Sequence, residues 1–295
     1  QFGEMSDYGR NKITKILIPI FNDWRSVFKL LENIDLQLDG WDADVSVLIV
    51  NDASTEKKPD NNAVFKNLSS IKIINMKKNK GHARCIATGL KYINEKEKFD
   101  FVIPMDGDGE DQPSEIGPLL CKAYDNPGNA ITGNRIKRSE GFIFRFFYTI
   151  HKFLTFILTG QLIKFGNYSC LPQPIVKKMI IEPATWNSFS GSLSKLENIR
   201  FSISSTRGQR YFGPSKMSFI SLIKHSFSII SVFKKIFMIR SILFLIVYLF
   251  FMIGKISVIT LIPVIGIIIM MISVIILSKR KNMSEFENSL ENISN

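Results

Sequence analysis

From Ile236 to Leu277 the chain reads IFMIRSILFLIVYLFFMIGKISVITLIPVIGIIIMMISVIIL, and only Arg240, Gly254 and Lys255 interrupt its apolar character. A helix crosses the hydrocarbon core of a bilayer with about 20 apolar residues, so the run is long enough for two spans that turn at Gly254-Lys255. Neither half carries the polar face that an ordinary core helix turns to water. Lys234, Lys235 and Arg240 come before the first span and Lys279, Arg280 and Lys281 after the second, whereas the turn offers only Lys255. Basic residues collect on the cytoplasmic side, so both ends of the hairpin, and both termini with them, are expected in the cytoplasm. Gln1 to Lys15 is polar and has no signal-peptide pattern.

Ahead of the hairpin, Pro214 to Ile239 reads PSKMSFISLIKHSFSIISVFKKIFMI, apolar at helical spacing with Lys216, Lys224, Lys234 and Lys235 between. Such a segment suits the headgroup layer; a pair of ordinary core helices is the alternative. The expected organisation is a cytoplasmic catalytic domain over 1–213, amphipathic interfacial helices over 214–235, the two-span hairpin over 236–277 and a cytoplasmic tail over 278–295. The net charge of +12 gathers beside the spans, which fits anionic lipid headgroups better than nucleic acid. No zinc spacing, phosphate-binding P-loop or nucleophile elbow appears. Cys85, Cys121 and Cys170 are odd in number and lack ligand spacing, as reduced core thiols would.

The first part of the chain has the rhythm of a parallel sheet. KILIPI (15–20), VSVLIV (45–50), IKIINM (71–76) and FDFVIPM (99–105) are short apolar runs separated by polar stretches long enough for crossover helices. They predict a doubly wound α/β layer structure, in which ligands bind beyond the carboxyl ends of the strands. The residues just past each run are Asn22 and Asp23, then NDAS (51–54), then NKG (79–81), then a cluster of four carboxylates, Asp106, Asp108, Glu110 and Asp111. Each alone is ordinary turn or N-cap chemistry. Their convergence on one edge is the signal, and the clustered acid calls for a positive partner.

PIFND (19–23), VNDAS (50–54), NKGHARCIATG (79–89) and MDGDGEDQP (105–113) resemble the successive motifs of the family 2 inverting glycosyltransferases with the GT-A, Rossmann-like fold. GNRIKR (133–138) and RYFGPSK (210–216), with the amphipathic helices and paired anchor that follow, resemble the polyprenyl-phosphate branch, which includes dolichol-phosphate mannose synthase and bacterial undecaprenyl-phosphate glucosyltransferases. The resemblance covers nearly the whole chain. It implies a nucleotide-diphosphate sugar donor, a UDP-sugar before a GDP-sugar, and an inner (cytoplasmic) membrane location.

Gly107 and Gly109 let the backbone fold so that carboxylates converge on one cation, and oxygen donors of this kind suit Mg²⁺ or Mn²⁺. Asp106 and Asp108 are the expected ligands. Glu110 stands where relatives usually have Gln, and it either ligates too or leaves the task to the aspartates. An EF-hand needs Gly at the sixth position of the loop and Glu at the twelfth, where this chain has Asp111 and Gly117. A purely structural acidic turn is the remaining alternative. By resemblance, Pro19, Phe21 and Asp23 line the nucleoside pocket, Asp52 bonds the base, and the turn from Asn79 to Gly81 allows close approach.

The acceptor turns on acid–base chemistry. A hydroxyl must lose a proton as it attacks and wants a carboxylate base, for which Asp111 is the candidate. A lipid phosphate, with its second pKa near 6, arrives charged and wants cationic guidance instead. Arg135, Arg138, Arg207, Arg210 and Lys216, with Ser215 beside it, are the expected phosphate partners; a solvated basic face is the alternative for Arg138 and Arg207. The stretch 141–160, apolar but interrupted by Arg145, His151 and Lys152, reads as a helix of the catalytic domain facing the membrane or acceptor groove. GNYSCLP (166–172) departs from relatives that begin this segment with Asp and carry Phe-Arg.

Three classes stay open. The first transfers a sugar to polyprenyl phosphate, the second to a hydroxyl of a lipid-linked glycan, and the third is a non-catalytic membrane scaffold, against which the intact Asp106 and Asp108 speak. A processive synthase is disfavoured, since no Q-x-x-R-W motif occurs. Paired short spans also offer helix-packing surfaces for self-association, on which the sequence does not decide.

Overall fold

The computed structural model describes residues 12–60, 63–137, 149, 153, 155–213, 219–280 and 282–294. The four apolar runs become β1 (Ile13–Ile20), β2 (Asp44–Asn51), β3 (Ser70–Met76) and β4 (Phe101–Pro104). All four are parallel, in the spatial order β3-β2-β1-β4. Strand order reverses between β1 and β4, which opens a crevice at their carboxyl ends. Beyond β4 the parallel pattern stops. β6 (Phe165–Pro172) runs antiparallel to β4 and to β5 (Ile131–Lys137), which pairs in parallel with β7 (Phe201–Thr206). With β8 (Ile293–Ser294) the sheet has eight strands in the order β7-β5-β6-β4-β1-β2-β3-β8 and is mixed.

Alternate residues of β1 serve two cores, as the period of two along a strand requires. Ile16, Ile18 and Ile20 pack against α1 (Trp24–Gln37), whose Trp24, Val27, Leu30, Leu31 and Ile34 repeat at helical spacing. Leu17, on the other face, meets Cys85, Ile86, Leu90 and Ile93 of α2 (His82–Lys96). A Cβ on Gly89 would fall 2.3 Å from Leu17 Cδ1, so this helix lies against the sheet only because position 89 has no side chain. Truncating Leu30 or Ile34 to Ala in so full a core would cost about 2–5 kcal/mol. Further along come α3 (Ile116–Asp125), α4 (Gln173–Ile181) and α5 (Phe189–Leu196).

One expected crossover helix is missing. Among the described residues between β2 and β3 there is no helix; instead the Asp35 carboxylate of α1 accepts the backbone N–H groups of Lys66, Asn67 and Leu68. Backbone that a helix would have satisfied internally is satisfied there by one side chain. Cys85 and Cys170 are buried, Cys121 is partly buried, and none of the three forms a disulfide.

After the sheet domain come α6 (Phe219–Val232), α7 (Lys234–Phe251) and α8 (Val258–Ser278). Among the described residues only α8 is long and apolar enough to cross a membrane. Its 21 residues rise about 31 Å, close to the thickness of a hydrocarbon core, and it buries only Val274. The expected first span corresponds to α7, which falls outside that measure because of its charged residues. α7 has 18 residues and begins Lys234-Lys235, with Arg240 a turn later; Arg240 donates to the carbonyls of Phe156 and Ile157, the latter at 2.7 Å. Residues 155–159 are helical, as read from the sequence, with Phe156 and Ile157 exposed. Arg145, His151 and Lys152 lie outside the described residues.

The stretch read as a tail returns to the sheet. α9 (Met283–Glu287) buries Phe286 against Trp186 and Ala87, and β8 pairs antiparallel with the far edge of β3.

Candidate active site

At the crevice, Asn22 sits just past β1 with φ +49. Its backbone N–H donates to Ser54 Oγ at 2.9 Å, and its side-chain oxygen accepts the N–H groups of Thr55 and Glu56 at 2.8 and 3.0 Å. One amide therefore ties the loop after β1 to the loop after β2. Pro19 is the penultimate residue of β1, inside the sheet, and Phe21 is exposed at the rim. Asp52 is buried and spans the next gap: one oxygen accepts Lys80 N–H at 2.7 Å, the other Gly81 N–H at 2.8 Å. The resemblance assigns Asp52 to a base; here both its oxygens clasp the 79–81 turn. Gly81 has φ +92, which strains any side chain placed there.

The acid cluster follows β4. Asp106 Oδ1 faces His82 Nε2 at 3.2 Å and Asn167 Nδ2 at 3.4 Å. Asp108 uses one oxygen for Glu110 N–H at 3.0 Å and the other for Arg210 Nη1 at 3.0 Å. Arg210 Nη2 donates to Asp23, so one guanidinium joins the loop after β1 to the loop after β4. Arg207 pairs with Glu110, each side chain 11% exposed. Asp111 is buried and accepts Asp106 N–H at 2.9 Å.

The segment bearing the two arginines is laid onto the cluster by its backbone. Gly208 N–H donates to Glu110 O at 2.8 Å and Tyr211 N–H to Asp108 O at 3.0 Å. Tyr211 also accepts Asn33 Nδ2 at 2.7 Å through its hydroxyl. Its ring lies where a Cβ on Gly109 would be, 2.5 Å away. Arg135 extends from β5 over Gly166 of β6, where an added Cβ would fall 2.6 Å from its Nη2, close enough for its charge to act on Asp106 and Asp111.

Like charge at these distances is expensive, and the proton affinities record it. Burial pushes the Asp111 and Asp108 carboxyls upward, and the Asp106 carboxylate pushes them further. Asp106 goes the other way: burial opposes its charge, but His82, Arg135 and Arg207 together hold it well below the usual carboxylate range. Two carboxyls of raised proton affinity beside one of lowered affinity form a site short of positive charge.

A divalent cation is the natural remedy, and Asp106 and Asp108 supply the hard oxygen donors it takes. Among the described residues no three His, Cys, Asp or Glu side chains are grouped to hold a metal alone. Two carboxylates completed by substrate phosphates are a usual Mg²⁺ arrangement. Glu110, expected as a possible third ligand, is instead engaged by Arg207. Of the residues expected to bind the acceptor, Arg207 and Arg210 are paired with carboxylates of the crevice and Arg135 projects from β5, whereas Arg138, Ser215 and Lys216 lie outside the described residues. His82, Asn167 and Tyr211 carried no assigned role in the sequence. The one available hint was that His82 opens a helix directly after the N-K-G turn.

A β3-β2-β1-β4 core with acid and arginine at its switch point is an open α/β domain with a ligand crevice at the carboxyl ends of its strands. The chain belongs to the family described as Glycosyl transferase family 2, which matches residues 15–175, and it is a glycosyltransferase. Among curated relatives, an uncharacterized protein of Methanocaldococcus jannaschii is 29% identical over 122 residues, 40% of this chain and 50% of that one. The undecaprenyl-phosphate 4-deoxy-4-formamido-L-arabinose transferase of Klebsiella pneumoniae subsp. pneumoniae is 23% identical over 236 residues, covering 77% of this chain and 69% of the relative. The chain thus spans half the length of the first relative and about two thirds of the second. Glucosyl-3-phosphoglycerate synthase from Mycobacterium tuberculosis, solved with Mn²⁺, UDP and glucosyl-3-phosphoglycerate, superposes with a TM-score of 0.58 at 13% identity, over 80% of this chain and 84% of that one. The same enzyme with Mg²⁺ and UDP gives a TM-score of 0.56 at 12% identity, over 80% of this chain and 83% of that one. That likeness establishes the fold, the α/β GT-A type with a mixed sheet.

Proposed function

We propose that the chain transfers a sugar, with inversion, from a nucleotide-diphosphate sugar, a UDP-sugar in the first instance, to a polyprenyl phosphate such as undecaprenyl phosphate at the cytoplasmic face of the inner membrane. The observation that carries this is Arg210 lying across Asp108 and Asp23 at the switch point, with Arg207 beside it. Cations able to hold a phosphate and acids able to hold a metal occupy the same crevice. The names of the curated relatives support a lipid-phosphate acceptor, and α8 following the domain supports a membrane setting. We take α7 and α8 as the anchor, α6 as the interfacial helix and both termini as cytoplasmic.

In this reaction a phosphate oxygen of the acceptor attacks the anomeric carbon from the face opposite the diphosphate. The new C–O bond forms as the bond to the diphosphate breaks, and the nucleoside diphosphate leaves with the electron pair. Asp106 and Asp108 would hold Mg²⁺ or Mn²⁺, which when bound neutralises charge on the leaving diphosphate. Pro19, Phe21, Asp23 and the 79–81 turn cradle the nucleotide, with Asp52 fixing that turn. Arg135, Arg207 and Arg210 orient the acceptor phosphate, and for the last two this requires exchanging a carboxylate partner for the substrate.

Transfer to a hydroxyl is the second reading, because the raised proton affinity of Asp111 suits a general base near neutral pH. Its burial and its bond to Asp106 N–H weigh against direct contact with an acceptor. Purified protein, Mn²⁺, labelled UDP- and GDP-sugars and undecaprenyl phosphate should give a glycolipid that mild acid cleaves, as expected of a sugar 1-phosphate ester. Asp111→Asn should slow that reaction only modestly. No product with the lipid phosphate, an acid-stable product with a glycan acceptor and near-total loss in Asp111→Asn would establish the second reading instead.

A further inference from the structure

The residues that follow the apolar helices meet the 79–82 turn from behind. Glu285, on α9, places Oε1 2.6 Å from Lys80 Nζ and Oε2 3.2 Å from Trp186 Nε1, with Arg84 Nη1 at 3.6 Å. The Lys80 and Glu285 side chains are each 21% exposed, so water screens this pair only in part. Lys80 leads, with Trp186 and Arg84 assisting, in holding the Glu285 carboxyl below its ordinary range.

Everything around Glu285 fixes its position. Asn282 caps the short helix by accepting Glu285 N–H at 3.0 Å. Phe286 is fully buried and stacks on Trp186 with centroids 5.2 Å apart, and Arg84 lies over the same indole at 5.3 Å. Lys91 donates to the carbonyl of Glu287. Further on, Lys77 N–H donates to Asn292 O at 2.7 Å and Lys77 Nζ to Glu291 O at 2.8 Å.

The turn is therefore gripped from two sides. In front, Asp52 takes the backbone N–H groups of Lys80 and Gly81. Behind, Glu285 takes the Lys80 ammonium. One residue on, His82 faces Asp106, so a shift of the turn moves a neighbour of the acid cluster as well.

We infer that Glu285 is a positioning residue for the donor site: through Lys80 it sets the 79–82 turn, and segment 282–294 is a working part of the catalytic domain. This rests on the donor role proposed above for that turn. Glu285 touches neither substrate nor reacting atoms in this scheme and acts only through Lys80 and Arg84.

The test uses the full-length protein in detergent and the variants Glu285→Gln and Glu285→Asp. Gln keeps the acceptor for Trp186 and the side-chain volume while removing the charge, so the fold is spared. Hydrogen exchange at the Lys80 and Gly81 amides should quicken in Glu285→Gln while β1 amides stay as in wild type, and Asp should restore most of the protection. Titration with UDP and Mn²⁺, and with GDP and Mn²⁺ in parallel, should give a Kd raised roughly fivefold to tenfold for Gln, the range expected from losing a charge-assisted bond. KM for the donor should rise with it while kcat holds within about twofold. Unchanged amide exchange in Glu285→Gln would overturn the positioning role. Faster exchange with unaltered nucleotide affinity would overturn its link to the donor site, and a wild type that binds neither nucleotide would overturn the donor reading itself.

Discussion

Arg210 and Asp108 meet at 3.0 Å, 102 residues apart in sequence, with their side chains 9% and 18% exposed. Breaking a buried pair from one side leaves a charge without compensation, typically at about 3–5 kcal/mol. Arg210→Ala should therefore be less stable than wild type; separately, because Arg210 is proposed to orient the acceptor phosphate, it should lose about tenfold to a hundredfold in kcat/KM, the worth of a charge-assisted hydrogen bond, with part of the loss recovered in Arg210→Lys, which keeps the charge but not the fork. Steady-state kinetics on protein whose near-ultraviolet circular dichroism matches wild type would check this. Turnover near the wild-type rate in Arg210→Ala would remove the arginine from the site.

Asp106→Ala and Asp108→Ala should abolish transfer, with a loss on the order of a thousandfold, because charge stabilisation by a bound metal is worth several kcal/mol. Both variants should also lose Mn²⁺-dependent binding of UDP by calorimetry while remaining folded by circular dichroism. A folded Asp108→Ala protein with ordinary turnover would refute the ligand assignment. By the resemblance drawn from sequence, Glu110→Gln is expected to be tolerated. The buried pair with Arg207 changes that expectation to a measurable drop in thermal stability, with metal binding retained.

Gly109→Ala adds a methyl group that would sit 2.5 Å from the Tyr211 ring, at a residue with φ +89. Backbone strain of this kind alone costs about 1–3 kcal/mol. The melting temperature should fall, and activity should fall further, because Tyr211 carries the segment that brings Arg210 across Asp108. Gly128, with φ +83 and open space at its Cβ, is the control: Ala there should cost stability without a specific loss of activity.

Asp35 predicts an acid-sensitive joint. Burial pushes its carboxyl up, but the N–H groups of Asn67, Lys66 and Leu68 and the Lys66 charge prevail and leave it lowered. A folded-state value below the unfolded one means the stabilisation is whole above the ordinary carboxylate pKa of about 3.9 and disappears as pH falls through the folded value. Asp35→Asn should melt a few degrees lower than wild type at pH 7, and the gap should narrow below about pH 4. A gap independent of pH would show that the ionised form contributes nothing.

The parallel half of the sheet was legible because β1, β2 and β4 are buried on both faces for most of their length and such strands are written as nearly unbroken apolar runs, while β3, SIKIINM, is partly exposed but still carries three isoleucines in four residues. β5 and β6 were not, since ITGNRIK and FGNYSCLP mix polar residues among apolar ones. In β6 Asn167 is spent on the site. The acid cluster announced itself by local density. Its partners did not, because Arg207 and Arg210 reach it across about a hundred residues of chain, and no spacing rule spans that distance. The apolar run was read correctly as helical, but Lys234, Lys235 and Arg240 lie inside α7 rather than ahead of it.

The pairing of β8 with β3 also orders events in time. β3 leaves the ribosome long before β8, with α6, α7 and α8 emerging between them. Until β8 arrives, one margin of the sheet stays open, and an unpaired strand edge is a template for pairing with the wrong chain. If α8 is delivered to a bilayer, that delivery precedes closure of the margin. The nascent domain would then reach the membrane still unsealed and complete its sheet only once it is tethered there.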